Sequence, residues 1–194
     1  NEDEPQHTER RRVLMEHFTP ENLERHKPMV RRLTREALDR IVDQGEADLV
    51  EEMLWEIPLT VALHFLGVPE EDMGKLREYS IAHTVNTWGR PSREEQVEVA
   101  HAVGHFWQYA GKVLEKMRAT PDGPGWMRYA IRQQVSYPEV ITDSYLHSMM
   151  MAIIVAAHET TAHASANMLR RLLEQRELWE EVCRKPQLLS LILI

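Results

Sequence analysis

The chain has 194 residues, with 23 Lys and Arg against 31 Asp and Glu, a formal charge of −8. That balance excludes a basic footprint for nucleic acid, and 43% hydrophobic with 28% charged residues describes a globular protein, not a disordered one. Cys183 is the single cysteine, which excludes an internal disulfide framework and a Cys-rich zinc site.

The length fits one domain or the larger part of a bigger one. The lone thiol points to a reducing, cytoplasmic setting. The longest apolar run, 149–157, has nine residues, about half of the roughly 20 that a spanning helix needs, so no membrane partner is expected. The opening Asn1-Glu2-Asp3-Glu4 lacks the order of a signal peptide. It also lacks an initiator Met and starts in helix-forming sequence, so an earlier segment is expected.

The pattern is helical almost throughout. Pro5 suits a first helical turn, and a helix is expected to run toward Phe18. Thr19 and Pro20 restart a short one, as cap and first residue. After Pro28, 29–44 reads as an amphipathic helix with Val30, Leu33, Ala37 and Ile41 on one stripe, ended by Gly45. Helices follow over 47–54 and 59–66, then Gly67-Val68-Pro69 stops one and starts the next, over 70–82. Residues 86–91 read as a loop, and Ser92 caps a long helix to about 118, with Glu94-Glu95 in its favourable first turn. Pro121-Asp122-Gly123-Pro124-Gly125 is the strongest turn signal, ahead of a helix over 126–135. Thr142 caps a very long pattern, 143–175, apolar on nearly all sides at its centre and so expected to be buried. A last helix is expected over 177–184.

Several short motifs do not survive geometry. His158-Glu159-Thr160-Thr161-Ala162-His163 looks like a zinc-protease helix, but its second His stands at i+5, about 140° round the helix from the first. Glu4 with His7, and Glu98 with His101, match the Glu-x-x-His of di-iron bundles, but Pro5 places Glu4 at or before a helix start. His101 and His105 read as a solvated face. No metal site is assigned.

His7 and Arg11 share a helical face and can donate together to a carboxylate, with a solvated basic face as the competing reading. In Ala156-Ala157-His158-Glu159-Thr160-Thr161, middling helix formers stand mid-helix beside a carboxylate and small residues. Met149, Ile153, Ala156, Thr160 and Ala164 fall on one stripe, with room for something flat against Thr160. That hydroxyl could relay protons, with Glu159 as a source. Close helix packing, with the hydroxyl bonded to the Ala156 carbonyl, explains the same letters equally well.

The segment Asp3-Glu4-Pro5-Gln6-His7-Thr8-Glu9-Arg10-Arg11-Arg12 followed by Phe18-Thr19-Pro20 resembles the D-x-P-x-H-T-x-L-R-R…F-T-P stretch of bacterial soluble cytochromes P-450. Ala156 to Thr161 resembles that family's [AG]-G-x-[DE]-T-[ST] signature, and the stretch ending Leu66-Gly67-Val68-Pro69 is similar to its L-L-G-V-P. All three stand in the family's order and separation.

The resemblance implies a mainly α fold with minor β, the chain being a single partial domain over 1–194, the distal half of a cytochrome P-450. It implies a haem-thiolate monooxygenase that activates dioxygen and oxidises an apolar organic substrate. His7 and Arg11 would hold haem propionates, and Ala156, Ala157 and Thr160 would lie along the haem. Thr160 would steer protons toward dioxygen, assisted by Glu159. Met149, Ile153 and Ala156 would border the substrate, together with the loop at 86–91. Arg10 and Arg12, on the other side of their helix, would meet an acidic redox partner, a ferredoxin or a reductase domain.

Departures from the family pattern set limits. Ala157 replaces the usual Gly, and Arg10 the usual apolar residue. The family's thiolate loop is not in this sequence, and Cys183, in Glu181-Val182-Cys183-Arg184-Lys185, lacks its frame. The fragment alone is therefore expected not to form a thiolate-ligated haem. The apolar stretch 188–194 does not look like the family's continuation and carries an aggregation risk. A non-catalytic helical binding domain on the same scaffold is the alternative reading.

Overall fold

The computed structural model describes residues 3–189, with 82–84 and 86–88 as backbone only. The α-helices among them are α1 (Gln6–Leu14), α2 (Pro20–Glu24), α3 (Lys27–Ile41), α4 (Glu56–Leu66), α5 (Glu70–Trp88), α6 (Arg93–Ala119), α7 (Trp126–Ser136), α8 (Asp143–Glu174) and α9 (Arg176–Arg184). No strand occurs among the described residues, which corrects the expected minor β content. The connections are short turns, such as 89–92 and 120–125, and offer no extended segment that could pair.

Local chemistry sets most of the boundaries. Ser92 and Glu95 form a reciprocal capping box, and the Thr142 hydroxyl accepts from the Tyr145 N–H. Gly67 ends α4 at φ 78°, a left-handed conformation that favours glycine. Pro28 lies in the first turn of α3, where a missing N–H costs nothing, so that helix starts before it. Helix α5 runs on to Trp88, through the stretch read as a loop, because no Gly or Pro stands between Gly74, in its second turn, and Gly89. A π-helical turn, Val50–Leu54, lies just before α4, with the Trp55 N–H donating to the Val50 carbonyl at 2.9 Å.

The main core joins Leu59, Leu63 and Leu66 of α4 to Leu76 of α5, Phe106 and Met117 of α6, Trp126 and Met127 of α7, and Leu146, Met150 and Ile154 of α8. A smaller cluster, Ala37, Met53 and Leu54, fixes α3 and the π-turn against the far end of α8. Helix α8 is not buried all round. Leu146, Met150, Ile154, His158 and Ala162 face the core, whereas Ala152, Ala156 and Thr160 are exposed. Among the described residues no helix is long and apolar enough to cross a membrane. Of the apolar stretch 188–194, residues 190–194 lie outside the described residues.

Two tyrosines tie helices together through their hydroxyls. The Tyr109 hydroxyl donates to Asp72 Oδ1 at 2.7 Å, joining α6 to α5. Tyr129 reaches the Val13 carbonyl at 2.9 Å and Glu16 Oε2 at 3.0 Å, joining α7 to the end of α1. The bond to Asp72 pushes the Tyr109 phenol from 10.0 up to about 12. Burial, then the bond to Glu16, pushes Tyr129 up to about 12. Their folded-state values exceed those of the unfolded chain, so their contribution to stability is complete below pH 10 and is lost as pH rises toward 12. The urea midpoint is therefore expected to fall across that window, and Tyr109→Phe with Tyr129→Phe to make the fall shallower. An equally steep fall in the double variant would refute the assignment.

Candidate functional site

Helix α1 is amphipathic in an unusual sense, with Val13 and Leu14 buried at its C-terminal end and cations along one stripe. His7, Arg10, Arg11 and Leu14 stand at i, i+3, i+4 and i+7, which is one face. The end of α1 is pinned by α7, where Trp126 Nε1 donates to the Leu14 carbonyl at 3.2 Å and Tyr129 donates to that of Val13. These bonds satisfy carbonyls that a helix end leaves without partners.

The cationic face lines a cavity of about 770 Å³ whose other wall is α8, with Tyr145, Met149, Ala152 and Ile153. Phe18 and Trp126 close it with aromatic surface. Four of the residues singled out in sequence, His7, Arg11, Met149 and Ile153, thus meet around one space.

Arg10 lies on the cavity side as well, which corrects its expected placement opposite. Its Nε donates to the Val140 carbonyl at 2.7 Å, and its guanidinium sits 4.4 Å from the Tyr145 ring centroid. The physical reason is helical phase, since three residues on from His7 returns to the same side. Only Arg12 of the pair remains exposed and away from the cavity lining.

Further along α8 the signature residues divide by face. Ala156 and Thr160 continue the exposed stripe begun by Ala152, beyond the cavity lining, and Glu159 is half-buried beside them. The Thr160 hydroxyl donates to the Ala156 carbonyl, one turn back. That leaves its oxygen free to accept, so the bond occupies the proton without hiding the group. Ala157 instead lines a separate apolar groove of about 750 Å³ between α3, α4 and α8, which Ile153 borders too.

His158 faces the core and is 1% exposed, whereas His163 is exposed, as their five-residue spacing requires. His158 Nε2 lies 2.8 Å from the Trp55 carbonyl, and burial holds its pKa below 6.5. His101 and His105 are exposed on α6. Cys183 is exposed on α9 and takes no part in the cavity between α1 and α8.

Cations at one rim, apolar and aromatic walls, and the small Ala152 between Met149 and Ile153 fit a flat, largely apolar cofactor that carries carboxylates. Sequence reasoning missed the Trp126 and Tyr129 anchors, which are far from α1 in the chain. It also missed Arg10, for which the i+3 spacing was a usable signal.

No protein-family model matches the chain. The cytochrome P-450 CYP107DY1 of Priestia megaterium is 29% identical over 187 residues, 96% of this chain and 44% of that protein. The cytochrome P-450 monooxygenase PikC of Streptomyces venezuelae is 30% identical over 177 residues, 88% of this chain and 40% of its own length. Among solved structures, the Tepidiphilus thermophilus P-450 haem domain superposes with a TM-score of 0.92 at 63% identity, covering 100% of this chain and 46% of that domain. An intact type IV self-sufficient cytochrome P-450 monooxygenase gives a TM-score of 0.91 at 72% identity, covering 97% of this chain and 25% of that one.

The helical fold is that of about half of a P-450 haem domain. The chain belongs to the cytochrome P-450 family, and it spans under half the length of the curated relatives it matches.

Proposed function

We propose that this chain is the distal part of the catalytic domain of a haem-thiolate monooxygenase that oxidises a small apolar organic molecule. The observation that carries this reading is the meeting of His7 and Arg11 with Met149 and Ile153 around one cavity. Family membership supports it, and so does the 72% identity to a self-sufficient monooxygenase.

In this reading His7 and Arg11 hold the haem propionates through charge-assisted hydrogen bonds. The haem, ligated by a thiolate from elsewhere than Cys183, supplies dioxygen activation when bound. Ala156 keeps the helix slim along the cofactor, whereas Ala157, which faces the separate groove, is left out of that role. Thr160 Oγ1 holds a proton that it receives from the side of Glu159 and gives up toward the cofactor face. Met149 and Ile153 border the substrate and exclude water from it. Arg12, exposed and turned from the cavity, faces the redox partner. Identity to a self-sufficient relative supports a partner domain on the same polypeptide. The setting is cytoplasmic.

The test is haem retention. Each charge-assisted bond contributes about 1 kcal/mol or more even when partly exposed. His7→Ala with Arg11→Ala is therefore expected to speed haem transfer to an excess acceptor protein at least about tenfold, with Arg11→Lys intermediate. Transfer at the original rate in the double variant would remove both residues from cofactor binding.

A further inference from the structure

Of the Ala156–Thr161 signature the proposed chemistry leaves Ala157, Thr161 and position 158 without a task, and only position 158 is buried. It is a histidine in the core, 1% exposed, in a helix otherwise packed there by Met, Ile and Leu. Its ring lies 4.3 Å from the Trp55 ring, centroid to centroid, and its Nε2 is 2.8 Å from the Trp55 carbonyl. A carbonyl can only accept, so Nε2 carries the proton and the ring is the Nε2–H tautomer.

The acceptor is at a conspicuous point of the backbone. Trp55 joins the π-helical turn Val50–Leu54 to α4, and its own N–H is committed to the Val50 carbonyl. Leu54 and Met53, just before it, are held in the smaller core cluster. The bond therefore ties α8 to a fixed corner of the fold, one residue before Glu159 and two before Thr160. On either side α8 packs through Ile154 and Ala162, whose apolar contacts carry no donor or acceptor to fix a direction. A hydrogen bond does fix one.

We propose that His158 is a positioning residue whose Nε2–H clamp on the Trp55 carbonyl sets the rotation of α8 at Glu159 and Thr160. The inference rests on the proton-delivery reading of that pair. It concerns how the pair is aimed, and it assigns His158 no proton of its own to transfer.

The experiment compares His158→Phe and His158→Gln in an extended, haem-loaded chain that includes the thiolate loop, with Thr160→Ala as the control. Phenylalanine keeps a ring without a donor, while the glutamine amide reaches toward the same carbonyl. Two readouts are taken: amide hydrogen exchange over 156–161, and hydrogen peroxide released per reducing equivalent.

His158→Phe is expected to speed exchange about tenfold, the worth of one net hydrogen bond, and to raise peroxide release about two- to fivefold. His158→Gln is expected to recover most of both. Unchanged exchange in His158→Phe would overturn the clamp, and equal damage in the two variants would reduce His158 to packing. If Thr160→Ala leaves peroxide release unchanged, the proton-delivery reading fails, and the exchange data still judge the clamp. Should His158→Phe not fold, imidazole nitrogen NMR of the unaltered protein decides instead, since an Nδ1–H tautomer at neutral pH is incompatible with the proposal.

Discussion

Replacing Arg128 with methionine is expected to lower the unfolding free energy by about 3–5 kcal/mol, the largest single-site loss outside the apolar core. Arg128 is 8% exposed, and its guanidinium works as a cross-brace between chain segments. Its Nε donates to the Thr120 carbonyl at 2.9 Å, and its Nη1 to the Gly67 carbonyl at 2.7 Å and that of Pro124 at 3.2 Å. Each bond to a charged donor contributes about 1.5–3 kcal/mol, and the sum is not additive.

Methionine fills the volume and satisfies none of these carbonyls. The damage falls where the backbones are already in contact. Gly67 and Gly125 have φ of 78° and 103°, and a Cβ on Gly67 would come within 2.3 Å of the Pro124 carbonyl oxygen. The brace thus holds the end of α4 against the turn between α6 and α7. The measurement is the urea midpoint at unchanged denaturant slope. Arg128→Lys is expected to recover only part, because one ammonium cannot span acceptors in three directions. A loss below about 1 kcal/mol in Arg128→Met would show that water replaces the brace, and would sink the argument.

Arg128 also marks the limit of what the sequence makes legible. The turn at 121–125 is readable because Pro, Asp and Gly each act on their own backbone, within a few residues. The same holds for Ser92, Thr142 and Gly67, which mark helix ends as read. Nothing local says that Arg128 will reach a carbonyl 61 residues away, or that Trp126 will reach one 112 away. Partners fixed by tertiary packing leave no periodic trace. The π-turn at Val50–Leu54 is hidden for a related reason, since its five-residue spacing has too few repeats to register as a period.

The candidate site divides along the same line. His7 with Arg11, and Met149 with Ile153, are visible as pairs on their own helices, because i+4 spacing puts each pair on one face. That the two faces meet around one cavity is a fact of packing, which the family resemblance supplied and the residues alone did not. Arg10 shows the opposite failure. Its phase was calculable, yet the basic run Arg10-Arg11-Arg12 reads as one patch until the helix is drawn, and then it splits between inside and outside.

Replacing Thr160 with alanine is expected to raise hydrogen peroxide release several-fold relative to product in an extended, haem-loaded chain that includes the thiolate loop, with haem content and folding unchanged. The substitution removes a hydroxyl from an exposed position, so little packing is lost. It also frees the Ala156 carbonyl, which returns to the ordinary helical pattern at small cost. Stability is thus a poor readout at this position and coupling a sharp one. A general acid held within hydrogen-bond reach contributes about 10²–10⁴-fold to a proton transfer, and loss of a relay that water replaces in part removes a fraction of that. Thr160→Ser keeps the hydroxyl and is expected to stay near the original coupling, while Glu159→Gln falls between serine and alanine because it keeps the hydrogen bonds and loses the acid. Coupling in Thr160→Ala equal to that of the unaltered protein would leave the hydroxyl with its helical bond to Ala156 as its whole role.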